Sequence, residues 1–157
     1  MHFDANLDGQ FDQVYTLLTD YENLYQLNDD LLESVILSES NNGIFRLGFV
    51  ARTCVLIFCF TKNLATDFEE TSKGEFKVID VAELSDFLFS QGTWYITPLG
   101  ARQTRIRFEG VVRPSFWVPP LIGSALIRSK FRELSFASMQ LIEHLVTIKP
   151  VLVENPL

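Results

Sequence analysis

The stretch from Arg113 to Gly123 reads R-P-S-F-W-V-P-P-L-I-G and joins a strand-like segment to the longest helical pattern of the chain. Its prolines cannot extend a hydrogen-bonded strand, and they fix a backbone angle that suits the first turn of a helix. After Pro120 the next proline is Pro150. The sequence therefore predicts that a strand ends in this stretch and that a helix runs from Pro120 to Ile148.

The segment after Pro120 carries a helical stripe. Its apolar positions recur at spacings of three, four and seven, which places them on one helix face: they are Gly123, Ile127, Phe131, Leu134, Leu141 and Leu145. Some 27 residues at about 1.5 Å each make a helix of roughly 40 Å. A helix of this length needs a wide apolar surface to lie against.

The preceding residues predict a sheet that supplies this surface. A first strand, His2–Leu7, is followed by two short helices, Phe11–Leu18 and Asp20–Asn28, and then by further strands. Those strands are predicted at Leu31–Ser38, Ile44–Ala51, Thr53–Glu70, Phe76–Val81, Phe87–Thr97 and Thr104–Val112. The expected fold is α+β, a curved antiparallel sheet of about seven strands around the C-terminal helix. Residues 1–148 form one predicted domain, and 149–157 form a tail.

Alternation along these strands predicts an inner, concave face. Glycines at positions 48, 92 and 110 are expected to bend the strands and to leave volume beneath the helix. Trp94 is the strongest single candidate for contacting a ligand, because it offers a broad apolar plane and an N–H group. The predicted ligand-binding residues are Leu47, Phe49, Trp94, Ile96, Phe108, Val112, Ile127, Phe131 and Leu134. Packing in an ordinary core is the alternative for each of them.

Composition narrows the classes of partner. The chain has 157 residues, 14 phenylalanines and a net charge of −7. An acidic chain repels phosphate backbones, so no nucleic-acid partner is expected. Arg105 and Arg107 alternate with apolar residues on one predicted strand and are interpreted as a solvated strand face.

The cysteines and the start of the chain bear on location. Cys54 and Cys59, placed on one extended strand, would be about 16 Å apart and on opposite faces, too far apart for a disulfide. They are predicted to be free thiols in a reducing compartment. No leader pattern opens the chain, and the longest apolar run, Val55 to Phe60, is too short to span a bilayer. A cytoplasmic location is expected.

Catalytic and metal-binding patterns are weak. Neither His2 nor His144 has a neighbouring ligand at metal spacing, and the sequence contains no phosphate-binding loop or nucleophile elbow. No catalytic residue, metal or cofactor is predicted. Asp20 and the Glu69–Glu70 pair are candidate general acids or bases, with helix capping and solvation as the plainer roles. Arg46 and Arg113 could bind a ligand oxygen, with surface ion pairs as the alternative.

Four motifs in this order resemble those of one superfamily. They are L-T-D-Y-E-N-L (18–24), G-T-W-Y-I-T-P-L (92–99), T-R-I-R-F-E-G-V-V-R-P (104–114) and F-W-V-P-P-L-I-G (116–123). The chain resembles the START-like, polyketide cyclase/dehydrase and lipid-transport superfamily, in particular its coenzyme Q-binding branch. The resemblance implies a helix-grip fold with an elongated apolar cavity for quinones, sterols, lipids or polyketides. After the second short helix, where the family often has proline, this chain has Asn28-Asp29-Asp30.

The resemblance also suggests a cavity mouth. Tyr21 lies at a helix junction that borders the cavity in this family, and Phe116 and Trp117 stand in the proline-bounded loop. Exposed aromatics in such a loop would gate the mouth or make transient contact with a membrane surface, unless they fold back onto the sheet.

Three functional hypotheses follow. The first is a non-enzymatic carrier of a small hydrophobic ligand, lipid-like or a prenylated quinone. The second is a cyclase or dehydratase that uses Asp20, Tyr21, Tyr95 or an arginine inside the cavity. The third is a protein- or ribosome-interaction module, which would require a coherent surface patch.

Overall fold

A computed structural model describes residues 1–55, 58–86, 89–113 and 123–148 of the chain. Seven strands, two α-helices and two 3₁₀ helices are assigned in this part of the chain. In chain order they are β1 (His2–Asp8), α1 (Phe11–Thr19), the 3₁₀ helix Tyr21–Leu27, β2 (Leu31–Glu39), β3 (Ile44–Val55), β4 (Phe58–Ser72), β5 (Glu75–Asp80), the 3₁₀ turn Ala82–Leu84, β6 (Phe89–Gly100), β7 (Gln103–Arg113) and α2 (Gly123–Ile148).

The strands form one curved antiparallel sheet. Their order is β1-β7-β6-β5-β4-β3-β2, so the first strand pairs with the last and β2 lies at the opposite edge. Consecutive strands from β2 to β7 are neighbours joined by short connections, as expected of an antiparallel meander. The C-terminal helix α2 packs against β1, α1 and the first 3₁₀ helix. This is the helix-grip fold, and the predicted fold class is confirmed.

Glycine sets the geometry of two of the tight turns. Gly43 has φ +75° and Gly74 has φ +85°, in the left-handed region that other residues rarely adopt. Gly74 also packs closely, because an added Cβ would lie 2.5 Å from the carbonyl oxygen of Ile96. Both glycines lie in gaps between predicted strands, the first after Ser38 and the second after Glu70.

The hairpin between β3 and β4 corrects one prediction. The expected single strand from Thr53 onward is divided, because β3 ends at Val55 and β4 begins at Phe58. This part of the sequence contains no glycine, proline or asparagine, so it carried no turn signal. The hairpin makes Cys54 and Cys59 direct partners in the antiparallel register.

The prediction of free thiols is wrong. Cys59 is disulfide-bonded, and Cys54 is the only other cysteine of the chain. Direct cross-strand partners have Cα atoms within the range that a disulfide spans. The cysteines therefore do not indicate a reducing compartment.

The buried stripe of α2 differs from the predicted one by about one position. The fully buried residues of its C-terminal half are Ser135, Met139, Ile142 and Val146. Leu134, Leu141 and Leu145 flank this stripe and are half-buried. Several neighbouring helix positions are apolar, so hydrophobic spacing alone allowed either face, and the packing against β1 and α1 decided between them.

Candidate ligand-binding site

The concave face of the sheet is built from rows of side chains that the strand register places side by side. The aromatic row crosses four strands and consists of Phe76, Trp94, Phe108 and Phe3. The glycine row lies next to it and consists of Phe45, Phe68, Val78, Gly92 and Gly110. The next row contains Leu47, Thr66 and Asp80.

Side chains fill the space above the aromatic row. The rings of Trp94 and Phe108 have centroids 4.7 Å apart, and Phe131 of α2 lies 5.5 Å from Phe108. Phe3 packs edge-on against Phe131, with 6.4 Å between the ring centroids. Phe3, Phe76 and Phe108 are each at most 5% exposed. This part of the concave face is therefore closed hydrophobic core, although Trp94 remains partly exposed.

The glycines at positions 92 and 110 seat the ring of Phe108. A Cβ added at Gly92 would lie 2.4 Å from Cε2 of Phe108, and one added at Gly110 would lie 2.5 Å from its Cζ. The expectation that these glycines leave volume beneath the helix is wrong, because the Phe108 ring occupies that space. A Cβ added at Gly48 would instead meet the side chain of Leu37, at 3.1 Å from its Cγ.

The concave face over β3 and β4 is more open. Phe45, Phe49 and Phe68 pack against the core, yet each remains partly exposed. The ring of Phe49 lies 6.3 Å from that of Phe68, and Tyr21 lies 5.0 Å from Phe45. These side chains form an apolar wall that solvent still reaches.

Tyr21 stands at one end of this wall, where it also packs 5.9 Å from Phe68. Burial, together with the negative charge of Glu70, raises the pKa of Tyr21 to about 12. Glu70 accepts a hydrogen bond of 2.8 Å from the Tyr15 hydroxyl and another of 3.1 Å from the backbone N–H of Gly74. The phenol of Tyr21 is therefore neutral at physiological pH and can donate a hydrogen bond.

Asp80 brings a carboxyl group to the concave face. The hydroxyl of Thr66 donates to Oδ1 of Asp80 at 2.7 Å, and Ser90 lies on the neighbouring strand β6. Burial raises the pKa of Asp80, and the hydroxyls of Thr66 and Ser90 oppose this rise. Sequence reasoning missed Asp80, although its position in strict alternation with Phe76 and Val78 was a readable signal.

Asp20, one of the carboxylates selected from the sequence, bonds to a neighbouring side chain. Asp20 precedes the first 3₁₀ helix and accepts hydrogen bonds of 3.0 Å from the side-chain amide of Asn23. It makes no side-chain bond to the backbone of that helix, so the expected capping is replaced by this side-chain contact. Asp20 also borders a cavity of about 140 Å³ whose lining includes Leu17, Leu27 and Leu145.

The basic candidates form ion pairs on the convex side of the sheet. Arg46 makes a two-pronged contact with Asp67, at 2.7 and 2.8 Å. Arg105 pairs with Asp4, and Arg107 lies over the ring of Tyr95 at 4.5 Å. The solvated-strand interpretation of these arginines agrees with their positions, and Tyr95 does not belong to the concave face.

The predicted site residues fall into three groups. Leu47, Ile96 and Phe108 are buried in the core, whereas Phe49, Trp94, Phe131, Leu134 and Tyr21 are partly exposed. Val112 pairs with Ser90 in the strand register, and Ile127 lies within α2. The side chains of Val112, Ile127 and Arg113, and the whole of Phe116 and Trp117, lie outside the described residues.

A second cavity, of about 240 Å³, lies between β1 and α2, with a lining that includes His2, Phe3, Arg132 and Phe136. Within the described ranges, no group of three or more His, Cys, Asp or Glu side chains is arranged to hold a metal ion. None of the described helices combines the length and apolar character needed to cross a membrane.

Comparisons with known proteins agree with this architecture. The family model described as polyketide cyclase/dehydrase and lipid transport matches residues 7–137. No curated protein sequence matches the chain significantly.

Solved structures share the fold at low sequence identity. A START superfamily protein from Mycobacterium smegmatis is 17% identical, with a TM-score of 0.77 over 92% of this chain and 97% of that one. The Zhui aromatase/cyclase from Streptomyces sp. R1128 is 13% identical, with a TM-score of 0.70 over 96% and 95% of the two chains. A STAR-related lipid transfer protein from Xanthomonas axonopodis is 16% identical, with a TM-score of 0.62 over 89% and 84%.

Proposed function

The chain belongs to the polyketide cyclase/dehydrase and lipid transport family, and we propose that it binds and carries a small hydrophobic molecule without transforming it. The ligand occupies the open part of the concave face, over β3 and β4 and beside the region that α2 closes. A lipid or a prenylated quinone is the proposed class, in keeping with the lipid transport named in the family's description. A cytoplasmic location stays a prediction from the sequence.

The partly exposed rings of Phe45, Phe49 and Phe68 carry this proposal. Each lies on a concave apolar wall rather than on a convex surface, so an elongated ligand could cover several rings at once. Removing apolar surface from water contributes about 25 cal/mol per Å². A ligand that covers this wall therefore gains its main binding free energy from burial.

The remaining predicted residues complete the proposed site. Trp94 contributes the exposed part of its indole beside the wall, and Leu134 contributes from α2. Val112 and Ile127 stay sequence-based predictions for the lining, and Phe116 and Trp117 stay predictions for a mouth that includes Tyr21. Transient contact of this mouth with a membrane surface would let an apolar ligand enter without crossing water.

Two measurements test the proposal. Organic extraction of the purified protein followed by mass spectrometry should recover a co-purified apolar compound, and the uncharged dye Nile red should bind with increased fluorescence. Phe49→Ala should weaken dye binding about tenfold, a change of about 1.4 kcal/mol. Phe136→Ala is the matched control, because this phenylalanine is 50% exposed in the separate cleft beside β1. An empty extract together with no dye binding would refute the proposal.

A cyclase or dehydratase is the second candidate, favoured by two ionisable groups on the concave face. Tyr21 is a neutral donor, and Asp80 is a carboxyl whose burial raises its pKa, the properties of a general acid or base. If this candidate is correct, the protein should convert a poly-β-ketone thioester into a cyclised product, and Asp80→Asn should lower the rate at least a hundredfold. Binding of the thioester without turnover would leave the carrier function as the better account.

A further inference from the structure

We propose that Asp80, Thr66 and Ser90 form a polar subsite that binds an uncharged oxygen, a hydroxyl or a ketone carbonyl, of an otherwise apolar ligand. This inference rests on the proposed carrier function and specifies the chemistry of its ligand. We call these three residues the Asp80 subsite.

The subsite borders the apolar wall. Thr66 and Phe68 are two residues apart on β4 and therefore face the same side, about 7 Å from each other along the strand. Leu47 and Asp80 are the register partners of Thr66 on its two neighbouring strands. A ligand lying on the wall would thus have the carboxyl of Asp80 within reach of one end.

The carboxyl has hydrogen-bonding capacity left over. A carboxylate offers about four lone-pair positions, and the hydroxyl of Thr66 occupies one of them. Among the described residues, no ion pair includes Asp80. A ligand hydroxyl can donate to a free lone pair, and the protonated carboxyl can donate to a ligand carbonyl.

A role in the adjacent turn does not account for Asp80. The 3₁₀ turn Ala82–Leu84 follows directly, with Val81 at its cap position and no side-chain capping bond. Other groups hold this segment, because the N–H of Val81 donates to the carbonyl of Ala65 at 2.7 Å and Ser85 bonds to the same residue. A half-buried carboxyl on an apolar face is costly unless it is used, and the fold supplies no structural task for it at this turn.

The subsite also predicts which ligands are rejected. Among the described residues, neutral hydroxyls lie beside the carboxyl of Asp80, and an anionic head group would be repelled by this carboxyl at close range. We therefore expect alcohols and ketones to bind and carboxylates to be excluded.

Four naphthalenes substituted at the same ring position test this expectation: methylnaphthalene, naphthylmethanol, acetylnaphthalene and naphthoate. Their affinities are measured by displacement of Nile red from the full chain. Asp80→Leu should lower the affinities for naphthylmethanol and acetylnaphthalene about tenfold relative to the affinity for methylnaphthalene. This is the loss expected when a hydrogen bond to a charged or strongly polar group is removed. Asp80→Asn should leave the affinity for naphthylmethanol unchanged and increase the affinity for naphthoate about tenfold.

Asp67→Leu is the matched control. Asp67 lies next to Thr66 on β4 but on the convex face, where it pairs with Arg46, so the affinity ratios should not change. If Asp80→Leu does not fold, the variants Thr66→Val and Ser90→Ala test the subsite. Each should weaken the binding of naphthylmethanol about threefold.

Failure of the subsite can be distinguished from failure of the carrier function. Unchanged ratios in Asp80→Leu, or in both hydroxyl variants, with methylnaphthalene still bound, would overturn the subsite and leave the carrier function standing. If neither Nile red nor any naphthalene binds, the carrier function fails and the subsite fails with it.

Discussion

Two regions of one concave face use phenylalanine differently. Under α2, Phe3 and Phe108 are at most 5% exposed and form a continuous set of ring contacts with Phe131. Over β3 and β4, Phe49 and Phe68 make similar ring contacts but remain partly exposed. The same residue type therefore stabilises the fold in the first region and offers a binding surface in the second.

The position of α2 explains the difference. The helix packs against β1, α1 and the first 3₁₀ helix, and its aromatic side chain Phe131 reaches the aromatic row near β1. The glycines at positions 92 and 110 let the ring of Phe108 lie flat on the neighbouring strands. No such glycine pair lies beneath Phe49, whose register partners on β2 and β4 are Ser34 and Leu64.

The largest expected effect comes from removing a ring in each region. Phe108→Ala should lower the free energy of unfolding by about 3–5 kcal/mol, because it leaves a cavity in closed core. Phe49→Ala should cost about 1 kcal/mol, since its ring is already partly solvated. Denaturant unfolding of both variants measures the difference. Equal losses would remove the distinction between the two regions.

A smaller effect should follow from adding one methyl group under Phe108. Gly92→Ala places a Cβ 2.4 Å from that ring and 2.7 Å from the carbonyl oxygen of Glu109. Such overpacking should destabilise the protein by about 2–3 kcal/mol. Gly100→Ala is the control, because nothing lies within 4 Å of its added Cβ, and its unfolding free energy should change by less than about 0.5 kcal/mol. Similar values for both variants would show that the ring does not rest on Gly92.

The smallest effect should be a pH dependence at Asp80. Because burial raises the pKa of this carboxyl in the folded state, its ionised form destabilises the fold above the folded pKa, and this cost disappears as the pH falls toward the unfolded pKa. Asp80→Asn removes the titration. Thermal melts should therefore show the wild-type protein gaining stability relative to Asp80→Asn between about pH 7 and pH 4. A constant difference in stability between the two proteins across this pH range would contradict the burial of the Asp80 carboxyl.

Much of the fold could be predicted because local patterns and tertiary packing agree. Proline placement near Pro120, the turn at Gly43 and alternation in β7 each indicated the observed element. The β3–β4 hairpin could not be predicted, because Leu56 and Ile57 between its strands carry no turn signal. Its consequence, the pairing of Cys59, was missed for the same reason.

The candidate site was predicted less completely. Alternation correctly placed Phe49, Trp94 and Phe108 on the concave face, but it could not show that α2 would cover Phe108 and leave Phe49 accessible. That outcome depends on where the helix crosses the sheet, which is a tertiary property. Asp80 was overlooked, although the alternation of β5 places it on the concave face opposite Thr66.

The most direct test of the account is to locate a bound ligand by intermolecular nuclear Overhauser effects. Protonated naphthylmethanol would be added to otherwise deuterated protein with protonated phenylalanine rings. The account predicts contacts from the ligand to Phe45, Phe49 and Phe68. Contacts confined to Phe3, Phe131 or Phe136, or a complete absence of contacts at saturating ligand, would contradict it.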